Sequence, residues 1–129
     1  MILVDSSVWI AHLRGQTTLA TVKLEAVAAR EPLLIGDLIL LEVLQGARDD
    51  AQAARVERKL RQYAIVRLLD DDLASRAARN YRRLRNLGIT VRKTADIIIA
   101  TFCIERRHAL LHDDRDFAPM VEHLGLEVA

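Results

Sequence analysis

Short aliphatic runs alternate with longer helix-periodic stretches along the whole chain, and this alternation restricts the fold more than any other feature. The runs are MILV at 1–4, PLLIG at 32–36, AIVRLL at 64–69 and ALLH at 109–112. Each is too short for an ordinary helix and lacks the polar alternation of a half-solvated strand, so each reads as a buried strand. The stretches between them carry helix signals. Ser6 and Ser7 open VWIAHL, which Gly15 ends. Thr17 or Thr18 caps a second helix that places Leu19, Val22, Ala26 and Ala29 on one face, and Pro32 stops it. Asp37 is a natural cap for an apolar helix, LILLEVLQG, closed by Gly46. A helix from Asp50 turns Val56, Leu60 and Tyr63 inward. Asp70, Asp71 and Asp72 suit the amino-terminal dipole of a long helix in which Leu73, Ala77, Tyr81, Leu84 and Leu87 recur at helical spacing up to Gly88. Thr94 caps TADIIIATFCIERR, DFAPMVEHLG forms a short last helix, and LEV reads as an edge strand.

Strands and helices in alternation imply a three-layer α/β/α fold: a mostly parallel sheet of four to five strands, flanked by helices and wound by right-handed crossovers. The length, 129 residues, suits one domain spanning 1–129, with a core that needs no disulfide. The single cysteine, Cys103, lies in the apolar run IIIATFCI and reads as a small buried hydrophobe, which points to the cytoplasm. The amino terminus has no basic region leading into a cleavable apolar stretch. No apolar segment approaches the roughly 18–20 residues that cross a bilayer. Neither secretion nor membrane insertion is expected.

Against this apolar background four acids stand out. Asp5, Glu42, Asp96 and Asp114 sit in or immediately after the runs MILVDSSVWI, LLIGDLILLEVLQG, TADIIIATFCIE and ALLHDDRDF. A lone buried carboxylate costs several kcal/mol, a large share of a typical stability of about 5–15 kcal/mol. Individually, some have structural readings. Asp5 can cap the helix at Ser6, Asp96 can favour a first helical turn, and one of Asp113, Asp114 and Asp116 can cap the last helix. Glu42 lies too deep in its helix to cap it. Open parallel sheets bind ligands beyond the carboxyl ends of their strands, where these acids can converge. Clustered carboxylates repel, and a hard divalent cation with oxygen ligands, Mg2+ or Mn2+, removes the conflict. Such an ion also orients a phosphate and activates water as a nucleophile.

Other chemistries find less support. There is no Cys and His cluster for zinc, and His12, His108, His112 and His123 are scattered. Ser6 lacks a GxSxG elbow and reads as a hydrogen-bonding neighbour of a metal water. The five glycines form neither GxGxxG nor a phosphate loop. Net charge is only +1, but basic residues concentrate between Arg55 and Lys93. They suit a polyanion held beside an acidic pocket, or equally the wet faces of amphipathic helices. A receiver domain also gathers acids and Mg2+ at strand ends, yet it needs a lysine near the end of a later strand, and AIVRLL and ALLHDD supply none.

The pieces ILVDSSVWI, LLEVLQGAR, TADIIIA and LLHDDRDF, in this order and spacing, resemble the PIN-domain ribonucleases, specifically the VapC toxins of bacterial VapBC toxin-antitoxin pairs. The resemblance covers essentially the whole chain. It implies a parallel sheet between helices and a Mg2+- or Mn2+-dependent endoribonuclease. Metal ligands would be Asp5, Glu42 and Asp96, with Asp114 as the fourth acid and Asp116 as an accessory. Ser6 and Thr94 match polar positions near the pocket, and Arg92 and Lys93 would hold the RNA backbone. Relatives tend to carry a small polar residue before the fourth acid where this chain has His112 and Asp113, so either Asp114 or Asp116 completes the metal shell. In-line attack by an activated water would leave a 5′-phosphate and a 3′-hydroxyl. The resemblance further implies a homodimer and a hetero-oligomer with a VapB-type antitoxin, whose tail blocks the pocket. The alternative is a non-catalytic module of the same fold that binds RNA or a protein.

Overall fold

The computed structural model describes all 129 residues. Four strands form one sheet: β1 (Ile2–Val4), β2 (Leu33–Gly36), β3 (Ala64–Val66) and β4 (Ala109–Leu111). All pairings are parallel and the order is β3-β2-β1-β4. β1 is therefore interior, with Leu3 opposite Leu34 on one side and Leu110 on the other. Ile2, Leu3 and Val4 are all buried, as expected of an unalternating aliphatic run covered on both faces.

The helices are α1 (Ser6–Leu13), α2 (Leu19–Ala28), α3 (Asp37–Gln45), α4 (Asp50–Leu60), α5 (Asp71–Asn86), α6 (Thr94–Arg106) and α7 (Ala118–Leu124), with a 3-10 turn at Arg115–Phe117. From β1 to β3 the chain steps one way across the sheet, then returns past β1 to form β4. Right-handed crossovers of opposite direction place α1–α4 on one face and α5–α6 on the other. The packing agrees, with α1 against α2 and α3, α3 against α4, and α5 against α6 and α7.

Several expectations are corrected. In α2 the buried face is Ala20, Thr21, Leu24 and Val27, while Leu19 is 89% exposed and Val22 53%. Apolar residues surround this helix, so periodicity could not choose its rotation. A capping box fixes only where it starts: Thr18 Oγ1 accepts from the Thr21 N–H at 3.1 Å, and Thr21 Oγ1 accepts from the Thr18 N–H at 2.8 Å. The cap of α3 is Gly36, not Asp37. A side chain at Gly36 would overlap the buried Leu68, so the turn needs glycine there. Asp37 instead accepts from the Leu38 N–H at 2.9 Å and the Leu68 N–H at 3.1 Å. Likewise Lys93 precedes α6 and Thr94 is its first residue, without a side-chain cap. Along α5 only Leu73, Ala77 and Leu84 of the apolar stripe are buried; Tyr81 and Leu87 are exposed. The LEV segment makes one isolated bridge, Leu110 to Val128, rather than a strand. No helix is long and apolar enough to cross a membrane.

Candidate metal centre

The reversal of winding direction at β1 opens a crevice at the carboxyl ends of β1 and β4. Asp5 follows β1 directly, and its N–H donates to Leu111 O of β4 at 2.9 Å. Its side chain, 4% exposed, caps α1: Oδ2 accepts from the Ser7 N–H at 3.1 Å and from the Ser7 hydroxyl at 2.6 Å. Ser7 Oγ in turn accepts from the Asp113 N–H at 3.1 Å. One hydroxyl therefore ties the loop after β1 to the loop after β4. The capping reading of Asp5 is correct, and it leaves the carboxylate facing the crevice, where its charge acts on both Glu42 and Asp96.

Across the crevice, one oxygen from each of Asp96, Asp114 and Asp116 lies within 4.8 Å of the others. Asp96 is the third residue of α6 and is 4% exposed. Its Oδ2 has no hydrogen-bond partner; the Lys93 ammonium stands 3.7 Å away. Burial pushes this carboxyl up to about 6, Asp5, Asp114 and Asp116 add repulsion, and Lys93 opposes them. Lys93 also donates to Asp114 Oδ2 at 3.1 Å, a bond that raises its own affinity for a proton. The other oxygen of Asp114 accepts from the Asp116 N–H at 2.9 Å and caps the 3-10 turn. Burial works to raise the Asp114 carboxyl, but the Asp116 N–H and Lys93 outweigh it and hold it below the ordinary range. The Asp114 N–H donates to His112 Nδ1 at 3.1 Å, and the His112 ring packs on Phe117.

Glu42 enters from the middle of α3, half-buried. Burial first, and then Asp5, raise its carboxyl; Lys93 and the Ser6 hydroxyl oppose the rise. Its Oε1 is buried without a partner. Four buried side-chain polar atoms in the protein lack partners, and two of them, on Glu42 and Asp96, belong to this one group of acids. Buried carboxylate oxygens without hydrogen-bond partners, each repelled by Asp5 and Asp114, are what a hard divalent cation would relieve, and the donor set is all oxygen. Thiolate ligation has no source here, because burial holds the Cys103 thiol up at about 12.

Of the other residues singled out in the sequence, Ser6 lies beside Glu42 and exposed Arg92 shares a cleft with Arg115 and Asp116. Thr94 helps line an apolar groove with Leu69, Tyr81 and Ile98 between α5 and α6. Both Asp114 and Asp116 reach Asp96, while Asp5 and Glu42 stand outside that tight triad. One participant escaped the sequence reading: Ser7, not only Ser6, fixes Asp5, and the doublet SS was its only signal. Lys93, read from the sequence as a cation holding the RNA backbone beside the pocket, turns its ammonium in among the acids themselves, onto Asp114 and beside Asp96.

A parallel sheet ordered β3-β2-β1-β4, with acids gathered at its switch point, defines a class. Residues 2–121 match the family model described as PIN domain, and the chain belongs to that family. Two relatives are each 32% identical over 132 residues, covering 100% of this chain and 98% of their own length. They are VapC ribonuclease Mb1587 of Mycobacterium bovis and Ribonuclease VapC11 of Mycobacterium tuberculosis. Two solved structures share the fold. One, VapBC2 from Rickettsia felis bound to a DNA fragment from their promoter, has a TM-score of 0.80 at 15% identity, over 100% of this chain and 98% of that one. The other, a toxin-antitoxin complex from Klebsiella pneumoniae, has a TM-score of 0.71 at 22% identity, over 92% and 91%.

Proposed function

We propose that this chain is a Mg2+- or Mn2+-dependent endoribonuclease, the toxin of a VapBC-type toxin-antitoxin pair acting in the cytoplasm. The observation that carries the reading is Asp96: a buried carboxylate with an unpartnered oxygen, among Asp114, Asp116 and Asp5, in a chain related over its whole length to named VapC ribonucleases. Asp5, Glu42, Asp96 and Asp114 would hold the metal, with Asp116 beside them. The chemistry such an ion would supply there is Lewis acidity, to activate a water and offset charge on the phosphate oxygens.

The chain's own groups prepare the pocket. Ser7 clamps Asp5 so that its second oxygen keeps a fixed direction. The Ser6 hydroxyl steadies Glu42. Arg92, exposed beside Asp116, holds the RNA backbone at the rim. A VapB-type antitoxin is the partner that fits this reading, and a homodimer the expected assembly. The test is RNA cleavage by the purified chain, with Mg2+ and with EDTA. Wild type should cleave only with metal, and Asp5→Asn and Asp96→Asn should lose most activity. Either variant cutting as fast as wild type refutes the assignment. RNA binding without cleavage in either metal would make the chain a binding module instead.

A further inference from the structure

Lys93 is the one cation inside the acid group, and its position is that of an ion rather than of a surface side chain. Its Nζ stands 3.1 Å from Asp114 Oδ2 and 3.7 Å from Asp96 Oδ2, bridging two of the three carboxylates whose oxygens converge within 4.8 Å. Asp96 Oδ2 has no hydrogen bond, so this ammonium is the charge that compensates it. The side chain is nonetheless 52% exposed, so its stem can swing into solvent. Its backbone cannot leave: the Asp96 N–H donates to Lys93 O at 3.1 Å, and Lys93 is the residue from which α6 starts.

We propose that Lys93 is an exchangeable internal counterion, occupying the cation position between Asp96 and Asp114 until a divalent ion displaces it. The inference rests on the metal-dependent reading above. An ammonium and a divalent ion cannot share the position, because like charges a few ångströms apart repel even where solvent enters. Wild type therefore binds metal more weakly than its carboxylates alone would allow. In return, the acids are never left mutually unscreened in the metal-free chain, and the pocket is kept formed without metal. Lys93 thus sets the divalent concentration at which the site fills.

The experiment is calorimetric titration of the metal-free full chain with Mn2+, for wild type, Lys93→Met, Lys93→Arg and Arg58→Met. Arg58 is exposed on α4, so its substitution removes the same charge outside the acid group. Circular dichroism checks that each variant is folded. Lys93→Met should bind Mn2+ roughly tenfold more tightly, the scale of removing one nearby positive charge. Arg58→Met should match wild type, and Lys93→Arg should return toward it. Wild-type or weaker affinity in Lys93→Met, with Mn2+ still bound, overturns this inference and leaves the metal centre standing. No Mn2+ binding by any of the four overturns both.

Discussion

Asp96→Asn in metal-free buffer isolates the electrostatic cost of the pocket. Asp96 has an ordinary carboxyl value of 3.8, raised to about 6 in the folded chain, chiefly by burial. Its side chain is 5% exposed, so solvent screening removes little of the effect. Because the folded-state value is the higher one, the folded chain holds this proton more tightly than the unfolded chain. The stability that results is fully present below pH 4 and is lost as pH rises through about 6. At pH 7.5 the ionised carboxylate therefore costs the fold about 3 kcal/mol relative to its protonated form. Asparagine has nearly the same shape and never ionises. Urea denaturation with EDTA should find Asp96→Asn more stable than wild type at pH 7.5, by about 3 kcal/mol at most, and equal to it near pH 4. Saturating Mn2+ should narrow or reverse the difference at pH 7.5, since about 100 times the dissociation constant adds roughly 2.7 kcal/mol to wild type alone. A variant less stable than wild type at pH 7.5 without metal would refute the reasoning and make Asp96 a structural group.

Three further outcomes follow from the geometry. Ser7→Ala removes the hydroxyl that donates to Asp5 at 2.6 Å and accepts from Asp113. Thermal unfolding should show a loss of about 1.5–3 kcal/mol, typical of a hydrogen bond to a charged group, and Mn2+ affinity should fall with it. Gly36→Ala should lower stability by about 1–3 kcal/mol in urea melts, because the new methyl must displace the buried Leu68. Mn2+ affinity, measured by titration from pH 7.5 to 5, should weaken as pH drops through about 6, where Asp96 takes up the proton that competes with the ion. An affinity flat across that range would remove Asp96 from the ligand set.

Local signals carried much of the fold. The aliphatic runs became the four parallel strands, and Thr18 and Asp70 cap α2 and α5 with side-chain bonds. Contacts between distant residues decided the rest. Leu68 packing on Gly36 moved the α3 cap by one residue, and apolar side chains all around α2 hid its buried face. Glu42 was visible as a charge interrupting an apolar helix. The grouping of Asp96 with Asp114 and Asp116 depends on the start of α6 packing beside the end of β4 and the 3-10 turn after it, while β4 lying beside β1 brings Asp5 to the same end of the sheet. Lys93 was legible as a cation near the pocket, but within VRK nothing in the sequence told that its ammonium turns in among the acids, which only the folded chain decides.

The most direct test of the central claim, that these acids form one metal-dependent hydrolytic site, is the chemistry of the cut ends. Purified chain and RNA would be incubated with Mg2+, and the products assayed for 5′-phosphate, 3′-hydroxyl and 2′,3′-cyclic phosphate. The account predicts 5′-phosphate and 3′-hydroxyl ends, lost with EDTA and lost in Asp96→Asn. Cyclic phosphate ends that persist in EDTA would mean that the RNA's own 2′-hydroxyl makes the attack, and the account of this pocket would be wrong.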